Sequence, residues 1–155
     1  MYATTITGLV RAPRARVYAA LLDPDAVARW RVPDNMTAEV HEWEAREGGR
    51  FRVSLTYLDP SDDEAGKSGA HTDTYAGHFA RLVEDEQVVE VLAFETDDPD
   101  LAGEMRMTTS LRDVEGGTEV ELVHDDIPDA VRPEDNEAGS RMALANLTAY
   151  VEATV

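Results

Sequence analysis

The stretch PEDNEAGSRMALANLTAYVEATV, residues Pro133 to Val155, decides the fold. Ser140, Leu144, Leu147 and Val151 recur at steps of four, three and four, which sets them along one face of an α-helix. Ala143 and Tyr150 widen that face, while Arg141, Asn146 and Glu152 fall elsewhere. Pro133 suits the first helical position, and Glu134, Asp135 and Glu137 bring negative charge to the positive end of the helix dipole. A long helix that follows a run of strands has to bury its apolar face against a sheet. A curved sheet gripping such a helix leaves a cavity between the two. The stretch that decides the fold therefore also points to where a small molecule would sit.

The strands are read from alternation. Arg50 to Leu58 is the clearest: Phe51, Val53, Leu55 and Tyr57 point one way, Arg50, Arg52, Ser54 and Thr56 the other. Glu104 to Arg112 alternates similarly, with Met105, Met107, Thr109 and Leu111 on one face. Thr118 to Asp125 sets Val120, Leu122 and His124 together, and Thr72 to Glu84 sets Tyr75, Gly77 and Phe79 together. Gly77 inside a strand predicts a bend or bulge. In Thr37 to Arg46, strict alternation puts Val40 and Trp43 on opposite faces. Val88 to Glu95 is nearly continuous apolar sequence and reads as central in the sheet. Ala3 to Arg11 is a first strand. Pro13 opens a helix carrying Val17, Leu21 and Leu22, and Asp23-Pro24 caps and starts a second carrying Val27 and Trp30. Gly48-Gly49, Asp85-Glu86 and Glu115-Gly116-Gly117 are turns. The order is strand, two helices, antiparallel meander, long helix. The acidic loop Asp59 to Asp73 is long for a hairpin and is a candidate lid.

Composition narrows the function classes. Against 32 acidic residues stand 14 basic ones, a net charge of −18. Nucleic acid and anionic membrane surfaces are disfavoured as partners, since both reward positive charge. The charge suits a solvated acidic shell, or adaptation to high salt. A hydrophobic content of 43% excludes a disordered chain. No apolar run approaches the ~18 residues of a membrane span. MYATTITGLVRAP lacks the basic start and apolar core of a signal peptide, so a cytoplasmic protein is expected. With no cysteine, disulfides, thiolate zinc sites and a Cys nucleophile are excluded. His41, His71, His78 and His124 show no metal-ligand spacing, and neither a metal nor a cofactor is expected. No G-x-S-x-G elbow and no phosphate loop occurs.

Arg11-Ala12-Pro13, Val17-Tyr18, Leu21, Asp23-Pro24, Trp30, Arg46-x-Gly48-Gly49-x-Phe51 and Gly77 follow one another along the chain. Gly116-Gly117-Thr118, Glu121-Leu122-Val123-His124, and Gly139 followed by Met142, Leu144, Leu147 and Tyr150-Val151-Glu152 continue the series. The whole resembles the SRPBCC, START-like or helix-grip superfamily, and within it the group similar to the heat shock protein 90 ATPase activator. That resemblance implies an α+β helix-grip fold over a single domain, residues 1–155. A curved antiparallel sheet of six to seven strands would wrap a long C-terminal helix, with two short helices after the first strand. It implies no single activity, because ligand carriers and cyclases share the fold. Many relatives carry Trp directly after the glycine at Gly139; here the residue is Ser140. A hydroxyl turned to an apolar space needs a partner, so Ser140 is expected to line the pocket.

The expected cavity wall is Trp30, Phe51, Val53, Leu55, Tyr57, Tyr75, Phe79, Met105, Met107, Ser140 and Leu144, with His124 as a polar group. Aromatic and Met side chains suit a flat or lipid-like molecule, though each alone serves equally as core. The expected function is binding of a small apolar or aromatic ligand by a monomer or homodimer. The alternatives are a cyclase- or dehydratase-type enzyme using a cavity His, Tyr or carboxylate, or a chaperone-linked interaction protein.

Overall fold

Three helices lie on one side of a curved, open antiparallel sheet of seven strands. The computed structural model describes residues 1–58 and 72–153. The first strand β1 (Tyr2–Val10) leads into helices α1 (Arg14–Leu22) and α2 (Pro24–Trp30). Strands β2 (Met36–Trp43), β3 (Arg50–Tyr57), β4 (Thr72–Val83), β5 (Gln87–Phe94), β6 (Met105–Val114) and β7 (Gly117–Ile127) follow, and helix α3 (Pro133–Ala153) ends the chain. The sheet order β1-β7-β6-β5-β4-β3-β2 makes the last six strands a meander, with β1 closing onto β7. The apolar strand β5 is central, as its composition predicts. Of the acidic loop read as Asp59 to Asp73, Thr72 and Asp73 begin β4, and residues 59–71 lie outside the described residues.

Local chemistry sets the joints. Asp23 accepts a hydrogen bond from the Asp25 amide at 3.0 Å and Pro24 takes the first turn of α2, so two short helices abut with no loop. The buried Trp30 indole donates to the Ala20 carbonyl at 2.9 Å, fixing α2 against α1. The Trp43 indole donates to the Leu22 carbonyl at 2.7 Å and ties β2 to the same corner.

Two expectations change. The register of β2 against β3 slips between Val40 and Glu42, a bulge that strict alternation does not foresee. Val40 and Trp43 consequently both pack against the core instead of facing opposite ways. The bulge of β4 lies between Phe79 and Arg81, not at Gly77. Gly77 is needed for another reason: a Cβ there would run into the Val91 carbonyl of β5.

The core divides at α3. Leu144, Leu147 and Val151, in its second half, are buried against β1 and the other helices. Gly8 of β1 makes room for Leu144, whose Cδ2 would lie 2.8 Å from an added Cβ. The first half, residues 133–143, contains no buried residue. It bridges a hollow.

Candidate functional site

The hollow has a volume of about 290 Å³ and lies between the concave face of β3–β7 and the first half of α3. Its floor is apolar: Leu55, Leu92, Phe94, Met105, Met107 and Leu122. Its roof is α3, which presents Asn136, Gly139, Ser140 and Ala143. These recur at i, i+3, i+4 and i+7, one helical face, and all are small. Leu144, Leu147 and Val151 continue the packing beyond them with large side chains. The cavity exists because the residues on this face are small up to Ala143 and large after it.

Seven of the residues singled out from sequence come together on this wall: Trp30, Leu55, Tyr75, Met105, Met107, His124 and Ser140. Phe51, Val53 and Phe79 instead lie in the packed core. Phe51 and Phe79 pack tilted with ring centroids 5.1 Å apart, and Trp43 meets Phe79 edge-on at 5.2 Å, so these rings fill one another's space. Leu144 turns to β1, and half-buried Tyr57 lies off the wall. Alternation names the face of a strand; which part of that face is covered depends on where the helices cross it.

The most polar feature of the wall escapes sequence reasoning. Arg31, the residue after α2, reaches across to Glu90 in the middle of β5. Its Nη1 contacts both carboxylate oxygens, at 2.9 and 2.7 Å. The side chains are 12% and 7% exposed, so the ion pair is largely withdrawn from water. The guanidinium carbon lies 5.1 Å from the Tyr75 ring centroid and Nη2 is 3.6 Å from Met107 Sδ. Burial works against the Arg31 charge, but the Glu90 carboxylate outweighs it and raises the pKa further. The signal was a lone carboxylate inside QVVEVLAF, the most apolar strand; its partner lies 59 residues away and no local pattern marks it.

His124 sits on β7 opposite Met107 of β6. The Thr4 hydroxyl donates to Asn136 Oδ1 at 2.6 Å. That leaves Asn136 Nδ2 to donate to His124 Nδ1 at 3.0 Å. With Nδ1 accepting, the ring proton belongs on Nε2. Burial first, and the Arg31 charge second, push the imidazole pKa down to about 4, so the ring is neutral at pH 7. Burial raises the Tyr75 phenol pKa; Arg31 opposes the shift and Glu90 adds to it. Two buried side-chain polar atoms have no hydrogen-bond partner among the described residues: Tyr75 Oη and His124 Nε2. Both belong to the cavity wall. His41 lies off this wall; its Nε2 is 2.8 Å from Ser54 Oγ. No group of three or more metal-ligating side chains occurs among the described residues.

A curved sheet gripping a terminal helix with a hollow beneath it defines the helix-grip class. The chain belongs to the AHSA1 family, Activator of Hsp90 ATPase homolog 1-like protein, whose sequence profile matches residues 11–152. The crystal structure of a Chromobacterium violaceum protein superposes with a TM-score of 0.84 at 29% identity, covering 98% of this chain and 99% of that one. An AHSA1-like protein from Aeromonas hydrophila gives 0.75 at 22%, covering 98% and 93%. A Rhodobacter sphaeroides protein gives 0.81 at 20%, covering 99% and 94%. The latter two likenesses concern the fold alone. No curated protein matches the chain. The family fold is consistent with a ligand-binding domain, and no described helix is long and apolar enough to cross a membrane.

Proposed function

We propose that this chain binds a small apolar or aromatic molecule in the cavity between the sheet and α3. The observation that carries the reading is the small-residue roof. Where α3 spans the hollow it offers Gly139, Ser140 and Ala143, and nothing of the chain's own fills the space beneath them among the described residues. Ligand pockets run from roughly 300 to 1,000 Å³, so a volume of about 290 Å³ favours a small ligand. The neutral His124 supports binding over acid–base catalysis, because a ring with a pKa near 4 is a weak base at pH 7. In this reading the chain acts as one domain, residues 1–155, in the cytoplasm, as a monomer or homodimer and without a cofactor. The −18 charge disfavours nucleic acid and membrane surfaces as partners.

Native mass spectrometry followed by solvent extraction tests the proposal. A bound species of roughly 100–400 daltons is expected, in keeping with the cavity size. It should be lost in Ser140→Trp, whose indole would occupy the space under α3. A clean apo mass that stays unchanged when naphthalene-sized compounds are added would overturn the reading.

A further inference from the structure

Building on that binding reading, we propose that the cavity selects a neutral ligand carrying a carbonyl-type oxygen, with Tyr75 Oη–H and His124 Nε2–H as the donors that hold it. The argument starts from the two orphaned atoms. A buried polar group without a partner is disfavoured, and native structures satisfy nearly all of them. Here two such side-chain atoms belong to residues of one cavity wall, and among the side chains of the other described residues there are none.

Their chemistry is not symmetrical between donor and acceptor. The chain Thr4 to Asn136 to His124 leaves the imidazole with its proton on Nε2, so that atom donates. The Tyr75 phenol also has a proton to give. The ligand group that satisfies two donors is an acceptor with two lone pairs, which a carbonyl oxygen provides. The donors lie in one neighbourhood. Arg31 rests on the Tyr75 ring and reaches Met107 Sδ, and Met107 is the cross-strand partner of His124. Both donor atoms are shut off from solvent, so the oxygen enters by displacing what covers them. Met107, half-buried and unbranched, is a side chain suited to yielding.

Charge decides between a carbonyl and a carboxylate. Among the described residues Arg31 is the one arginine or lysine of the wall, and Glu90 already matches it with two short contacts. Asp135 adds a negative charge at the rim. Among the described residues no free cation of the wall would meet an anionic ligand, which would enter at the loss of its own hydration.

The test uses isosteres on the whole protein. 2-Acetylnaphthalene and 2-isopropenylnaphthalene share a shape and differ in C=O against C=CH2; 2-naphthoate supplies the anion. Calorimetric affinities at pH 7 should favour the ketone over the alkene by about tenfold, the scale of one to two buried hydrogen bonds. Tyr75→Phe and His124→Phe should each shrink that preference several-fold, read as the ratio of ketone to alkene affinity within each variant. Ring 15N shifts of His124 should show the Nε2–H tautomer and move on binding the ketone only. Equal affinity for ketone and alkene, tighter binding of naphthoate, or an Nδ1–H tautomer would each overturn the carbonyl inference while leaving the pocket reading intact. Failure of all three compounds and of the neutral fluorophore N-phenyl-1-naphthylamine to bind would remove the pocket reading itself, and the inference with it.

Discussion

Breaking the Arg31–Glu90 pair from one side should cost far more than deleting it from both. In Glu90→Gln the guanidinium keeps its position beside Tyr75 and Met107 but loses the two carboxylate contacts at 2.7 and 2.9 Å. At 12% side-chain exposure it has little water to turn to. An orphaned charge of this kind costs about 3–5 kcal/mol. The protein's whole stability is of the order of 5–15 kcal/mol. With a urea slope of about 2–3 kcal/mol/M, the unfolding midpoint at pH 7 should fall by about 1–2 M. The double variant Arg31→Met with Glu90→Leu removes both charges, leaves apolar groups of similar length, and should unfold within about 1 kcal/mol of wild type or above it. A double-mutant cycle therefore returns a large coupling energy between residues 59 positions apart. A loss below about 1 kcal/mol in Glu90→Gln would mean that the pair is hydrated, refuting the buried-pair reasoning. Additive single losses in the double variant would refute it too.

Further outcomes follow from the same wall. His124 has a folded pKa near 4, against about 6.5 unfolded, so the unfolded chain binds its proton first as pH falls. Its effect on stability is absent above about pH 6.5, grows to a loss of at most about 3 kcal/mol near pH 4, and levels off below. Urea titrations from pH 7 to pH 4 should show that limb in wild type and flatten it in His124→Phe. Tyr75→Phe, which removes a buried hydroxyl without a partner, should raise the unliganded protein's stability by about 1 kcal/mol in the same assay, at the expense of ketone binding. The two glycines should respond in opposite directions. Gly139→Ala meets nothing within 4 Å and should stabilise α3 by about 0.5–1 kcal/mol. Gly77→Ala drives a methyl into the Val91 carbonyl and should lower the melting temperature by several degrees, the consequence of a loss above about 1 kcal/mol.

The sequence by itself determined the element order, the antiparallel meander, the cap at Asp23, the start of α3 at Pro133, and the face of each regular strand. Those features depend on neighbours within a few residues: alternation with period two, recurrence near 3.6, and turn residues in place. It also brought Trp30, Leu55, Tyr75, Met105, Met107, His124 and Ser140 into one set, because all belong to inward faces. What it could not decide was where on those faces the helices would lie. Phe51, Val53 and Phe79 share the pattern of Leu55 and Tyr75, yet are packed shut near Trp43, where a bulge in β2 swings the indole inward. The Arg31–Glu90 pair, and the hydrogen-bond chain from Thr4 through Asn136 that assigns the His124 proton, join residues 59 and 132 positions apart in the chain. Such pairings were left to the tertiary structure, because a buried charge or donor is defined by what closes over it, and that is set by long-range packing and not by local spacing.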